Sequence, residues 1–382
     1  MRFLLLSSAI FCTAAQGAAD PAMTLAELLR QVPEHNTARP ALSRWQQGPV
    51  SVQLNRYDSR FGLNKGGDEW ELGISVPIAG SGQRQYLTSL DKSLGQQQVL
   101  GTALRRLDLT GALRQVLADI ALANTEVVQY RHWVASYSAL AERQQRAVAA
   151  GESGRLGWLL ADNALTDAKL ALASAKQRLA RAEGNYQALT GLADWPAHWQ
   201  EPVKASDINQ HPALKESQLL TNLAEARYQR SEKGAQYPWH AGVSVKQIQG
   251  APGYPDDTQI GLQFSMPLGG GSGEDSADDY LAMQTQQRNL ARLQQQLTQQ
   301  WYQAKAQYEN SALALTLTKA KLAKAQQLMA VADAAKAAGE ISVSDWQRQY
   351  QDFLMVQLQQ ARLEVQVAAS AAQLNQAGGF SW

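Results

Sequence analysis

From about Gln83 to Ala150 the chain has no proline, and its apolar or small positions recur at alternating spacings of four and three. The series is Leu109, Leu113, Val116, Ile120, Ala123, Val127, Tyr130, Val134, Tyr137 and Ala141, then Val148. This is a heptad seam, and it predicts one very long helix. Beyond Gly151 the seam resumes as Trp158, Ala161, Leu165, Ala168, Leu172, Ala175, Leu179, Ala182, Tyr186 and Leu189. Large and small residues alternate along this return arm, which lets two helices approach closely. A second long arm carries Leu297, Trp301, Ala304, Tyr308, Ser311, Leu315, Thr318, Leu322, Ala325 and Met329. Its return carries Trp346, Phe353, Val356, Leu363, Val367 and Leu374. A strict seven-residue period keeps its seam by left-handed supercoiling. At ~1.5 Å per residue the long arm spans on the order of 100 Å and its return roughly half that. Another helix must therefore stack above the return arm.

Four shorter stretches alternate with period two. Val50, Val52 and Leu54 stand against Ser51, Gln53 and Asn55; Trp70, Leu72, Ile74 and Val76 against Glu69, Glu71, Gly73 and Ser75. Ala241, Val243 and Val245 alternate with Gly242, Ser244 and Lys246; Ile260, Leu262, Phe264 and Met266 with Gln259, Gly261, Gln263 and Ser265. Each predicts a strand with one apolar and one polar face. Four strands leave open edges, so the pattern fits a half-buried sheet on a soluble core or part of a transmembrane barrel completed by other chains.

The two helical arms belong to a duplication. Ala149-Ala150-Gly151-Glu152, followed by Trp158, recurs 188 residues later as Ala337-Ala338-Gly339-Glu340, followed by Trp346. Ser75-Val76-Pro77-Ile78 recurs 190 residues later as Ser265-Met266-Pro267-Leu268. Two anchors in one order mark a repeated unit of two strands, a long helix, a tight turn and a shorter returning helix. The expected organisation is a signal peptide over 1–19, a first repeat over 20–200 and a second over 201–382. The first holds a strand hairpin over 50–76 and a helical hairpin over 83–190; the second holds them over 239–267 and 274–378.

Composition narrows the function. A net charge of +1 over 382 residues leaves no basic footprint for nucleic acid. Arg2, the apolar stretch Phe3 to Cys12 and the small residues from Ala14 to Ala19 read as a secretory signal. Phe11 is too bulky for a lipoprotein processing site before Cys12, which argues against a lipid anchor. Cys12 is the single cysteine, so no disulfide is expected in the mature chain. The five histidines lack metal-ligand spacing. Gly269-Gly270-Gly271 lacks the lysine of a phosphate loop. Nothing resembles a catalytic dyad or triad, so neither an enzyme nor a metal or cofactor site is expected.

Several features taken together resemble the TolC-like outer membrane efflux family, over about Thr24 to Gly379. They are Thr24-Leu25-Ala26-Glu27-Leu28-Leu29, His211-Pro212-Ala213-Leu214, the strand exits at Pro77 and Pro267, the joints Gly80-Ser81-Gly82 and Gly269 to Gly273, and the turns at Gly151 and Gly339. The resemblance implies a mainly α fold with a small β part. Duplicated helical hairpins would form a trimeric α-barrel in the periplasm, and four strands per chain would contribute to a 12-stranded β-barrel in outer membrane lipid. It implies a homotrimer that serves as the passive exit duct of a tripartite efflux or type I secretion system, for drugs, metal ions or proteins. A periplasmic adaptor (membrane fusion) protein and an inner-membrane pump would engage its turn end. The alternative is a periplasmic coiled-coil adaptor or scaffold that does not span the membrane.

The resemblance points to Asp345 as a periplasmic gate residue, repeated by threefold symmetry as a ring of carboxylates. Its other reading is a helix-start aspartate favoured by the helix dipole. Gly157 occupies the matching place in the first unit and Arg348 stands nearby, both of which reduce such a ring. Gly151, Glu152, Gly339 and Glu340 are expected at adaptor-contact turns, where glycine also permits the reversal. One departure stands out. A helix from about His211 to Gln236 precedes the third strand, whereas only about Pro33 to Gln47, with Pro40 inside, precedes the first. The first ascending helix is therefore expected to be shortened or lost.

Overall fold

The heptad arms are helices, and they run directly out of the strands. In the computed structural model the chain order is β1 (Ser51–Tyr57), β2 (Glu69–Ile78), α1 (Ser81–Ala149), α2 (Arg155–Thr190), α3 (Pro212–Glu232), β3 (Trp239–Ile248), β4 (Asp257–Ser265), α4 (Gly273–Ala337) and α5 (Val343–Ala377). The structure describes residues 45–58, 68–151, 154–196, 198–205, 207–233, 237–250, 253, 255–267 and 273–382. The expected signal, the opening at Thr24 and most of the stretch from Pro33 lie outside the described residues, as do Glu152 and residues 268–272. At ~1.5 Å per residue, the 69 residues of α1 and the 65 of α4 each run about 100 Å. The 36 residues of α2 and the 35 of α5 cover about half of that.

The predicted seams are where the hairpins close. Ala161, Ala168 and Ala175 of α2 are buried, and so are Leu113, Ile120 and Val127 of α1. The alanines set how closely the two helices approach. The seam of α2 ends one turn earlier than its spacing predicts. Leu189 is 37% exposed, because the helix stops at Thr190 and is capped by Gly191 at φ 75°.

A second buried stripe runs beside the first. Leu107, Leu117, Trp133 and Leu140 of α1, with Leu354, Leu358, Ala372 and Asn375 of α5, are buried although they lie off the heptad seams. They are buried because α1 packs on α2, α3 and α5, and α5 packs on both α4 and α1. One cluster joins Trp133, Tyr137 and Leu140 to Leu165, Met329, Trp346 and Leu354. Another joins Leu113, Leu117 and Ile120 to Ala182, Tyr186 and Trp199.

The expected helix above the return arm is α3, which packs on α1 and α4. Its first turn abuts the end of α5. Gly379 has φ +80°, and a Cβ there would lie 2.8 Å from His211 Cδ2, so no larger residue fits this junction. His211 caps α3 through Nδ1, which accepts the Ala213 N–H at 3.2 Å. Burial lowers the His211 pKa from its usual value, and this favours the neutral ring that the cap requires.

The strands form one antiparallel sheet in the order β1-β2-β3-β4. Their register puts Val52, Ile74, Val243 and Leu262 in one row, and Leu54, Leu72, Val245 and Ile260 in the next. The intervening row is Gln53, Gly73, Ser244 and Gly261. Every alternating pattern therefore points its apolar side the same way. Residues 45–47 strap the base of the sheet: Gln47 N–H donates to Pro77 O at 3.0 Å and Ala79 N–H to Trp45 O at 2.9 Å.

Candidate functional site

The end of the helical hairpins gathers the sequence-predicted residues. α4 ends in a Schellman motif. Gly339, at φ +77°, donates its N–H to Lys336 O at 3.1 Å, and Glu340 N–H donates to Ala335 O at 2.8 Å. Gly151 has φ +76° and donates to Val148 O at 3.1 Å, so both turns need glycine for the same reason. Glu340 is exposed, and its counterpart in the repeat, Glu152, lies outside the described residues.

Asp345 is exposed on the first turn of α5. Its N–H donates to Ser342 Oγ at 3.1 Å, and Ser342 Oγ donates to Asp345 Oδ2 at 2.6 Å. Within one chain the carboxylate thus belongs to the helix cap, where the macrodipole favours it. Next to it, Trp346 Nε1 donates to Asp333 Oδ1 at 2.6 Å. The same ring lies under Lys336 Nζ, 3.6 Å from the centroid, and stacks on Tyr350 at 5.2 Å. Burial, and then the charge of Arg143, lower the Lys336 pKa from its usual value. In the first unit Trp158 is only half-buried, with the Arg155 guanidinium 5.8 Å from its ring centroid, and Leu156, Leu159 and Leu160 beside it are exposed. Gly157, the counterpart of Asp345, faces the start of α5. A Cβ there would meet Gln144 Oε1 at 3.4 Å and Val343 Cγ1 at 3.8 Å, and its carbonyl accepts from Gln347 Nε2 at 3.5 Å.

Two polar constellations hold the hairpins together, and neither follows from the spacing of residues. Midway along the helices, Arg114 and Glu201 form a bidentate pair, Nε to Oε1 at 2.5 Å and Nη2 to Oε2 at 2.8 Å. Their side chains are only 3% and 8% exposed. Arg114 Nη1 also donates to Gln376 Oε1 at 2.6 Å and Phe380 O at 2.9 Å, and its guanidinium lies over Trp382. Asn375 Nδ2 donates to Glu201 Oε2 at 2.9 Å, while its Oδ1 accepts the Lys204 N–H at 2.8 Å. This clasp ties α1, the α2–α3 connector and the chain end together at the level where α5 gives way to α3. Nearer the turns, buried Glu126 of α1 accepts from Arg178 Nη2 of α2 at 2.5 Å and from Arg362 Nε of α5 at 2.8 Å. One carboxylate thereby joins three helices.

At the opposite end, the apolar sheet face is bare. Val52, Leu54, Leu72, Ile74, Val243, Ile260, Leu262 and Phe264 are all exposed. β1 and β4 have no strand beside their outer edges among the described residues. Trp70 lies under Arg56 and Tyr57 near Lys246 at one end of the strands, and Trp239 meets Phe264 edge-on at the other. No helix among the described residues is long and apolar enough to cross a membrane.

Known structures share this arrangement. The chain superposes on CusC, described with its folding and transmembrane channel formation, with a TM-score of 0.66 at 15% identity, over 88% of this chain and 83% of that one. It matches the outer membrane protein VceC of Vibrio cholerae with a TM-score of 0.65 at 12% identity, over 87% and 85%. The open MtrE outer membrane channel of Neisseria gonorrhoeae gives 0.60 at 13%, over 87% and 80%. The chain has the TolC-like fold. No protein-family model matches it, and no curated protein matches it in sequence. The TolC-like architecture is therefore carried by the order of elements, the paired glycine turns and the sheet register, at identities of 12–15% to these structures.

Proposed function

We propose that the chain is the outer membrane exit duct of a tripartite efflux or type I secretion assembly, and that it works passively as a homotrimer. The apolar sheet face carries this reading. Four strands whose exposed apolar residues all fall on one side, with both edges open, suit lipid only if neighbouring copies complete a barrel. The polar side, with Gln53, Gly73, Ser244 and Gly261, then lines the bore. Leu313, Leu317, Leu328 and Val331 of α4, and Leu156, Leu159 and Leu170 of α2, are exposed on the helices. They offer flanks for adjacent copies in a periplasmic tunnel. The channel role named for CusC and MtrE supports the same reading.

In this assembly residues 1–19 act as the export signal, and 20–200 and 201–382 are the two repeats. The turns at Gly151, Glu152, Gly339 and Glu340 form the end that meets a periplasmic adaptor and an inner-membrane pump. Asp345 faces the entrance as a ring of three.

Planar lipid bilayers test both levels. The extracted trimer is expected to form conducting pores at low salt. Asp345→Asn should reduce cation-over-anion permeability roughly two- to sixfold, the range for charges worth ~0.5–1 kcal/mol at 4–8 Å in water. An assembled trimer that forms no pore would sink the duct reading. Pores with unchanged selectivity would return Asp345 to its role as a helix cap.

A further inference from the structure

The polar face of the sheet changes character along the strands. The register stacks it into rows that cross all four strands. On the helix side lie Ser51, Ser75, Gly242 and Gln263, followed by Gln53, Gly73, Ser244 and Gly261. Six of these eight residues are glycine or serine, so the face is low here. At Gly242 no side chain fits, because a Cβ would lie 2.7 Å from Ile74 O. The two rows farthest from the helices are Asn55, Glu71, Lys246 and Gln259, then Tyr57, Glu69, Ile248 and Asp257. None of these eight is glycine or serine, and three are carboxylates.

Lys246 is the one lysine or arginine on this face of the described strands. Its Nζ reaches diagonally to Glu69 Oε2 at 2.5 Å and lies 5.8 Å from the Tyr57 ring centroid. Glu71 stands directly opposite Lys246 in the register, so two carboxylates flank one ammonium. Asp257 Oδ2 accepts from Gln259 Nε2 at 2.9 Å, which keeps both on the polar side.

Three copies of this four-stranded sheet fall between the roughly eight strands whose side chains fill a barrel and the roughly sixteen that leave an aqueous channel. At that size the inward side chains decide how open the bore is. Rows of glycine and serine leave it wide, and the two outer rows narrow it. Charges at a narrow level act strongly, because low-dielectric walls focus their field on the ions that pass.

We propose that the two outer rows form a charged collar that sets the ion preference of the barrel, in which Glu71 favours cations and Lys246 opposes it. The collar rests on the duct reading and is a second selective level, at the end of the molecule opposite Asp345.

Reversal potentials of the full-length protein in planar bilayers, in a potassium chloride gradient at low salt, test it. Lys246→Gln should raise cation-over-anion permeability and Glu71→Gln should lower it. Each change should be roughly two- to sixfold, the effect of a unit charge about 4–8 Å from the ion path in water. A merely structural role for the pair would move both variants the same way. Gln53→Glu shifts the net charge by as much as Lys246→Gln, but in a row of glycine and serine, so its rise should be smaller. Trimers that form no pore would remove the duct reading and the collar with it. Conducting pores in which Lys246→Gln and Glu71→Gln shift selectivity the same way, or not at all, overturn the collar alone. So does an equal rise from Gln53→Glu. If Lys246→Gln fails to assemble, the sign of the Glu71→Gln change and its size relative to that of Gln53→Glu decide the question.

Discussion

Arg114→Ala is expected to destabilise the helical part by about 3–5 kcal/mol, the usual loss when one partner of a buried ion pair is removed. The side chain is 3% exposed and holds Glu201, which is itself 8% exposed. Alanine leaves that carboxylate buried, with Asn375 still donating to it but no cation beside it. It also removes the donor to Gln376 and Phe380 O, which leaves the α2–α3 connector and the chain end held to α1 by the packing of Trp199 and Trp382 and by the Gln376 Nε2 bond to Leu107 O. Arg114→Lys keeps the charge but cannot make the bidentate fork, and an intermediate loss is expected. Thermal unfolding of the detergent-solubilised protein measures both. If alanine and lysine give the same small change, the clasp contributes little to stability.

Leu262→Arg should block stable membrane assembly. Leu262 is 88% exposed in the isolated chain, where a surface substitution on a soluble sheet would change stability by only about 0.5 kcal/mol. At the bilayer midplane an arginine on the lipid face of a barrel costs about 2–4 kcal/mol, and in a trimer it is met three times. Gln263→Arg, one residue along on the opposite face, is the control and should assemble. Yield of detergent-extracted oligomer from the outer membrane reads the difference. Equal tolerance of both arginines would mean that the apolar face does not meet lipid.

Much of this architecture is legible in the residues. The strands and the seams have short periods, and a short period records the neighbour that lies next along the chain. Ala161, Ala168 and Ala175 announce their helix partner because they recur every seven residues. Gly151 and Gly339 stand out because they recur within a duplication and each takes a left-handed backbone. The third partners of α1 and α5 are harder to read. Trp133 and Leu354 bury against helices that arrive from elsewhere in the sequence, so they fall off the heptad that describes the hairpin. The clasp is harder still. Arg114 and Glu201 are 87 residues apart, and nothing local distinguishes a buried arginine from a solvated one on a polar helix face. Glu126 has the same character: its partners lie on two other helices. Leu189 shows the converse error, a position whose spacing is right but whose helix ends too soon to cover it.

The central claim is that these strands complete a barrel only with other copies of the chain. Membranes from cells making the full-length protein should release it only with detergent, and light scattering of the detergent-corrected particle should give the mass of three chains. A stable, monodisperse monomer recovered in plain buffer would contradict the account, because the exposed apolar rows through Ile74 and Leu262 would then face water.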